Sequence, residues 1–250
     1  MGAARGDEMS GFLSELTEWF SEPGRWTGAD GILPRTLEHL WLAILPMAIA
    51  VAVALPAAVW LAHKRRAEFA ANAIVNVGRA VPSFGLLILA GVFFARAGVD
   101  LRFWPAVVAL VALAIPPIFT NAYTAIVTVP PATVEAARGL GYKEDEVLWG
   151  IEVPVGAPVI LAGIRISWIQ VLATVPLAAV LSSGGGLGQY VVRGFAQGPG
   201  ARAEIFAGAL LIALLTLGAD RLYSMAERAI LPAGVRRLAS EEVEVVASAS

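Results

Sequence analysis

The sequence contains no cysteine and only two histidines, and charged residues make up just 15% of its 250 positions. The missing cysteines exclude disulfide frameworks and thiolate metal sites. His39 and His63 stand at opposite ends of one apolar run that is long enough to cross a membrane. We therefore expect one histidine at each membrane interface, too far apart to bind one metal ion together. A net charge of -2 offers no basic surface for nucleic acid. We therefore expect neither a metal site nor a nucleic-acid partner.

Apolar residues dominate instead. They make up 58% of the chain, and glycine adds another 25 residues. A soluble domain carries roughly 25% charged residues, so the polar side chains of this chain are too few to cover a surface in water. The composition predicts an all-α polytopic protein that lies mostly in a lipid bilayer.

Runs of about 20 apolar residues locate the membrane-spanning helices. The predicted spans cover about 40–62, 70–95, 104–128, 157–181 and 203–222. They divide the chain into a segment 1–36 at the outer interface, a transmembrane domain 37–228 and a mobile cytoplasmic tail 229–250. The basic cluster at 63–66 follows the first span, and basic residues in short loops stay in the cytoplasm. The N-terminus is thus predicted outside and the C-terminus inside.

Before the first span, the sequence predicts an amphipathic helix. Its apolar residues recur with helical spacing and are Phe12, Leu13, Leu16, Trp19 and Phe20. Such a helix lies along the outer interface or packs against the spans, and the pattern alone does not distinguish the two.

The segment 129–156 between the third and fourth spans is too long for a tight helix connection. Its two opening prolines predict a short helix over 132–140, and Gly141 is placed to end that helix in a left-handed conformation. Acidic residues then favour a second short helix over 142–149. Two short helices joined by a glycine form a compact projection that a soluble protein can hold.

Residues along this projection match a known signature. The matching positions are Glu135, Ala136, Ala137, Gly141, Ile151 and Pro154, with Val153 where the signature has Leu. The pattern resembles the motif EAA, three residues, Gly, nine residues, Ile, one residue, Leu-Pro of ABC importer permease subunits. The resemblance implies that the loop is a coupling helix, which docks on a cytoplasmic ATPase.

Further stretches resemble one group of these permeases. GRAVPSFGLL in the second span, PVILAGIRISW in the fourth and SSGGGLGQYVVRG after it are similar to the osmoprotectant importers for glycine betaine, choline and carnitine. The resemblance extends from about Trp26 to Arg228. It implies type I ABC importer architecture, an ATPase dimer, a second permease chain that is identical or paralogous, and an external substrate-binding protein. We expect no cofactor on this chain, with ATP and Mg²⁺ on the ATPase, because the glycines at 184–188 lack the lysine of a phosphate-binding loop.

Prolines and buried charge indicate where a transport path runs. Pro116 and Pro117 interrupt the third span just before Asn121 and Tyr123, which suggests a hydrated region. In the second span, the candidates for a gate are Arg79, Pro82 and Ser83. Arg165 lies inside the fourth span, where we expect it to pair within the bundle or to reach the interface.

Two other functions are alternatives to this interpretation. A permease for another small solute, such as methionine, would carry a similar glycine-rich outer segment. An ion-coupled secondary transporter would need inverted repeats and buried acids near mid-membrane, and the sequence has neither.

Overall fold

The computed structural model describes residues 2–65, 83–100, 103–181 and 184–231, with side chains from Met9 onward apart from Ser83. All regular secondary structure in these ranges is helical. The helices are α1 (Gly2–Ser21), α2 (Gly24–Thr27), α3 (Ile32–His63), α4 (Ser83–Arg96), α5 (Trp104–Val127), α6 (Pro131–Gly139), α7 (Glu144–Val147), α8 (Val153–Thr174), α9 (Gly188–Gln197) and α10 (Arg202–Ile230).

Four helical stretches of the described chain are long and apolar enough to cross a membrane. They contain α3, α5, α8 and α10, at the places of the predicted first, third, fourth and fifth spans. The helix α4 is apolar but shorter, and the part of the second predicted span before Ser83 lies outside the described residues. The predicted tail beyond Leu231 lies outside them as well.

Helix ends differ from the predicted span limits for local reasons. The helix α3 begins at Ile32 and α10 continues to Ile230, so both helices extend beyond the apolar runs into segments that carry charged residues. The helix α8 ends at Thr174, and a 3₁₀ turn covers Val175–Val180. Pro176 has no N–H to donate to the carbonyl of Leu172, so the α-helical ladder stops there.

The described residues divide into two compact units. The first contains the described parts of Met1–Met47, Pro82–Val111 and Gln170–Gly218. The second contains those of Ala48–Val81, Ala112–Ile169 and Ala219–Ser250.

In the first unit, α1 packs on its own chain. Trp19 is buried with Ile32, Leu187, Tyr190 and Ala207. The Phe12 ring meets the Phe206 ring edge-to-face at 5.2 Å, and Arg202 donates hydrogen bonds of 2.9 and 2.8 Å to the Glu15 carboxylate. Of the two placements left open by the apolar pattern, the structure therefore has the one against the spans.

A glycine-rich turn lies beside His39 in the same unit. Gly186 has φ +56°, and a Cβ there would lie 2.5 Å from the His39 Cβ. The buried His39 Nε2 is 2.9 Å from the Leu172 carbonyl oxygen, which is the acceptor that Pro176 leaves without its helical donor. The predicted position of His39 at a membrane interface stays a prediction. Its imidazole is enclosed by protein, where it bonds to the carbonyl that lacks its helical donor.

In the second unit, α5 and α8 approach closely through small residues. A Cβ on Gly163 would lie 2.5 Å from the Asn121 Cβ, and one on Gly156 would lie 3.0 Å from the Ala125 Cβ. Ser167 donates a 3.1 Å hydrogen bond to the Ala114 carbonyl. Close backbone contact through small residues is the usual way in which helices associate within a membrane.

Candidate functional site

The loop between α5 and α8 begins as the sequence predicts. The helix α6 starts at Pro131 and ends at Gly139, and Gly141 has φ +92°. The N–H groups of Gly141 and Tyr142 donate to the carbonyls of Arg138 and Ala137, at 2.9 and 3.2 Å. This pair of bonds is a Schellman motif, which favours glycine at the left-handed position. The prediction that Gly141 ends the first helix is confirmed.

The second short helix differs from the prediction. Instead of a helix over 142–149, α7 covers Glu144–Val147, and a π-helical turn over Leu148–Glu152 joins it directly to α8. Gly150 lies inside the π-helical turn and lacks the positive φ that Gly141 has at the end of α6. Pro154 cannot donate to the Gly150 carbonyl, and the chain takes a wider turn in which the Val153 N–H bonds to the Leu148 carbonyl.

A small apolar core holds the loop together. Val129, Val134, Ala137 and Val147 are buried against one another, and Ile151 packs at their edge. Two of the motif residues, Ala137 and Ile151, are therefore internal supports. In contrast, Glu135, Ala136 and Pro154 are exposed.

Large apolar side chains stand out from this supported loop. Leu140, Tyr142 and Trp149 are 80%, 48% and 65% exposed, whereas Leu148 is buried and anchors the loop. Exposed aromatic and aliphatic residues on a rigid support are typical of a protein contact surface. We call Glu135, Ala136, Leu140, Tyr142 and Trp149 the outer face of the loop.

Polar contacts tie the loop to the end of α3. His63 Nδ1 is 2.6 Å from Glu152 Oε2, and His63 Nε2 is 3.3 Å from Glu144 Oε2. Arg138 donates two hydrogen bonds of 2.9 Å to the Glu144 carboxylate, and these bonds raise the pKa of the Arg138 guanidinium. Arg65 donates to the Val127 carbonyl at 2.8 Å.

Sequence reasoning missed this set of contacts. His63, predicted at a membrane interface, is buried between two carboxylates, which no sequence pattern predicted. The only signal was Glu152, an acid inside the otherwise apolar stretch that leads into the fourth span. Its distance from His63 along the chain gave no indication that the two meet.

Five of the seven predicted path residues lie in the part of the chain that the structure describes, on α4 and α5. Arg79 and Pro82 lie outside the described residues, and Ser83 begins α4. Pro116 and Pro117 lie inside α5, and Asn121 donates a 2.8 Å hydrogen bond to the Pro117 carbonyl.

Tyr123 is buried and stacks on Phe119 at 6.1 Å between ring centroids. Asn121 and Tyr123 thus take part in packing, and their role in a path stays a prediction. Of the two alternatives for Arg165, pairing within the bundle is confirmed, since it donates to Asp220 at 2.7 and 3.0 Å.

Comparison with known families identifies the chain's class. Residues 50–232, well over half of the chain, match the family described as binding-protein-dependent transport system inner membrane component. The chain belongs to this family. The permease is therefore a membrane transport subunit, as the resemblance of its loop implied.

Curated relatives cover most of the permease. It is 33% identical over 213 residues to the choline transport system permease protein OpuBB of Bacillus subtilis. The aligned residues cover 85% of this chain and 94% of the relative. It is 31% identical to the osmoprotectant import permease protein OsmW of Salmonella typhimurium, over 80% of this chain and 92% of the relative.

Solved structures confirm the fold. An inward-facing structure of the MetNI methionine ABC transporter aligns with a TM-score of 0.66 at 24% identity, covering 84% of the permease and 97% of that chain. A second inward-facing structure of the same transporter gives a TM-score of 0.70 at 21% identity, over 85% and 100%. The predicted all-α ABC importer permease architecture is confirmed.

Proposed function

We propose that this permease forms half of the translocation pathway of an ATP-driven importer and that its loop 129–156 docks on a cytoplasmic ATPase. The observation that carries the proposal is the outer face of the loop, whose Leu140 and Trp149 are exposed although the helices beneath them are packed. Apolar surface of this kind is stabilised when a partner covers it. The exposed Glu135 of α6 can accept charge-assisted hydrogen bonds.

The proposed solute is a quaternary-ammonium osmoprotectant such as glycine betaine, choline or carnitine. The support is the named function of the relatives, which are choline and osmoprotectant permeases aligned over at least 80% of this chain. The likeness to a methionine transporter supports the fold alone, because identity there is 24% or less.

The proposed assembly places the loop and the C-terminus in the cytoplasm and the N-terminus outside. It contains two ATPases, a second permease chain and an external binding protein. In it, ATP and Mg²⁺ bind to the ATPases. The glycine-rich turn of the permease is unsuited to hold a phosphate, since Gly185, Gly186 and Gly188 are packed against Ala179, His39 and Pro176 of its own chain.

Co-purification of tagged permease with its ATPase tests the docking. The charge reversal Glu135→Arg is expected to release the ATPase, because a cation would replace the exposed acceptor on the outer face. The matched control is Glu18→Arg, the same reversal at an exposed glutamate of α1, which should retain the ATPase. Equal ATPase recovery from both variants would contradict the proposed docking face.

Uptake by the reconstituted importer tests the solute class. Proteoliposomes with permease, ATPase and binding protein should accumulate labelled choline or glycine betaine in an ATP-dependent manner, and not methionine. Accumulation of methionine instead would show that the proposed solute class is wrong. Uptake driven by an ion gradient without the ATPase would overturn the whole proposal.

A further inference from the structure

Glu152 is a carboxylate enclosed by protein at the base of the loop. It is 1% exposed and lies in the π-helical turn between Ile151 and α8. An ionisable group is held in such a place only when a partner compensates for the water it has lost. The partner here is His63, whose Nδ1 lies 2.6 Å from the carboxylate.

His63 brings separate parts of the loop to one point. It is the last residue of α3, and its other ring nitrogen lies 3.3 Å from Glu144 in α7. Arg138 of α6 holds Glu144 through two further hydrogen bonds. One imidazole at the end of the first span thus touches the π-helical turn directly and reaches both short helices.

The loop is also continuous with the fourth span. The π-helical turn passes into α8 with no intervening coil. A force on the outer face therefore acts on α8 through the helix backbone, and it acts on α3 through the contact between His63 and Glu152.

We propose that His63 is a positioning residue for coupling, which fixes the loop to the first span so that the two move as one body when the motor pulls. This inference rests on the proposed docking of an ATPase, and it adds a residue outside the EAA signature. The contact with Glu152 sets the position of the loop relative to α3. Without that contact, the loop is held to α3 less directly and more of the motion passes through α8.

Three variants separate this role from a general loss of stability. His63→Leu removes both polar contacts but keeps an apolar side chain. His63→Asn places an amide where Nδ1 stands and can still bond to Glu152. The matched control is His39→Gln, which changes the other buried histidine of α3 and can retain the bond to the Leu172 carbonyl.

The decisive readout is solute uptake per ATP hydrolysed in proteoliposomes that contain the whole importer. His63→Leu should keep its ATPase bound and lose about tenfold in this ratio, the scale expected when a hydrogen bond to a charged group is removed. The ratios of His63→Asn and His39→Gln should stay near that of the wild type. A wild-type ratio in His63→Leu would overturn the inference, and an unchanged loss in His63→Asn would overturn the role of the Glu152 contact.

A distance measurement tests the same inference without changing His63. Spin labels at the exposed positions Lys64 and Asp145 report the separation of the α3 end from the loop. In the assembled importer this distance should be the same with and without bound ATP. A shift of several ångströms would overturn the inference, whereas failure of wild-type permease to hold an ATPase at all would instead overturn the proposed function.

Discussion

Gly163 and Gly218 both lie inside long apolar helices, yet their surroundings are opposite. A Cβ on Gly163 would lie 2.5 Å from the Asn121 Cβ and 3.0 Å from the Pro117 carbonyl oxygen, whereas one on Gly218 would meet nothing within 4 Å. Neither glycine has a positive φ. The requirement at Gly163 is therefore space for a neighbouring helix, and the sequence of the two sites does not reveal the difference.

Replacing each of these two glycines by alanine should affect the thermal stability of the permease differently. Gly218→Ala should leave thermal stability unchanged or raise it by up to about 1 kcal/mol, the difference in helix propensity. Gly163→Ala should lower the melting temperature of the purified permease, because α5 and α8 must move apart. Equal shifts in the two variants, measured by thermal unfolding in the same detergent, would show that Gly163 does not set this contact.

At the scale of elements, α8 and α10 are joined by polar contacts inside the second unit. Arg165 pairs with Asp220 at 2.7 Å and with Glu227 at 3.9 Å, and Tyr223 donates to the Leu161 carbonyl at 2.9 Å. Charges within membrane spans are stabilised by partners of this kind.

Removal of Arg165 alone should therefore destabilise the permease more than removal of Arg165 together with the charge of Asp220. Arg165→Leu leaves two carboxylates on α10 without their cation and should lower the melting temperature. Addition of Asp220→Asn should restore part of the loss, since one of the uncompensated charges is gone. Additive losses in the double variant would mean that the two residues do not depend on each other.

The contact of α1 with α10 should depend on pH. The hydrogen bonds from Arg202 lower the pKa of Glu15 from its usual 4.5. A carboxyl whose pKa is lowered in the folded state stabilises the contact above its usual pKa and loses this effect as the pH falls through the lowered value.

Amide protection factors over residues 9–21, which correct for the intrinsic exchange rate, should therefore decrease below about pH 4.5. The variant Glu15→Gln should show no such decrease. A decrease of the same size in Glu15→Gln would assign the effect to another group.

At the scale of the whole molecule, the complete absence of cysteine allows a clean test of membrane orientation. In the proposed orientation, Asp145→Cys on the loop reacts with an impermeant maleimide only after the cells are permeabilised. Glu18→Cys on α1 reacts in intact cells. Labelling of Asp145→Cys in intact cells would place the loop outside and remove the ATPase contact.

The sequence predicted the features that depend on local composition. Apolar runs located four of the spans, and the glycine at position 141 located the end of α6. It did not predict contacts between distant residues, such as those of His39 with Leu172 and His63 with Glu152, because each depends on how two helices pack. The π-helical turn was also missed, since its wider hydrogen bonding has no composition of its own.

The exposure of Leu140 and Trp149 also affects how long the permease persists in a cell. Apolar surface exposed to water favours aggregation and recognition by chaperones and proteases, and in the proposed assembly the ATPase covers this surface. Surplus permease made without its motor should thus be short-lived. The abundance of the importer would then follow the supply of its ATPase.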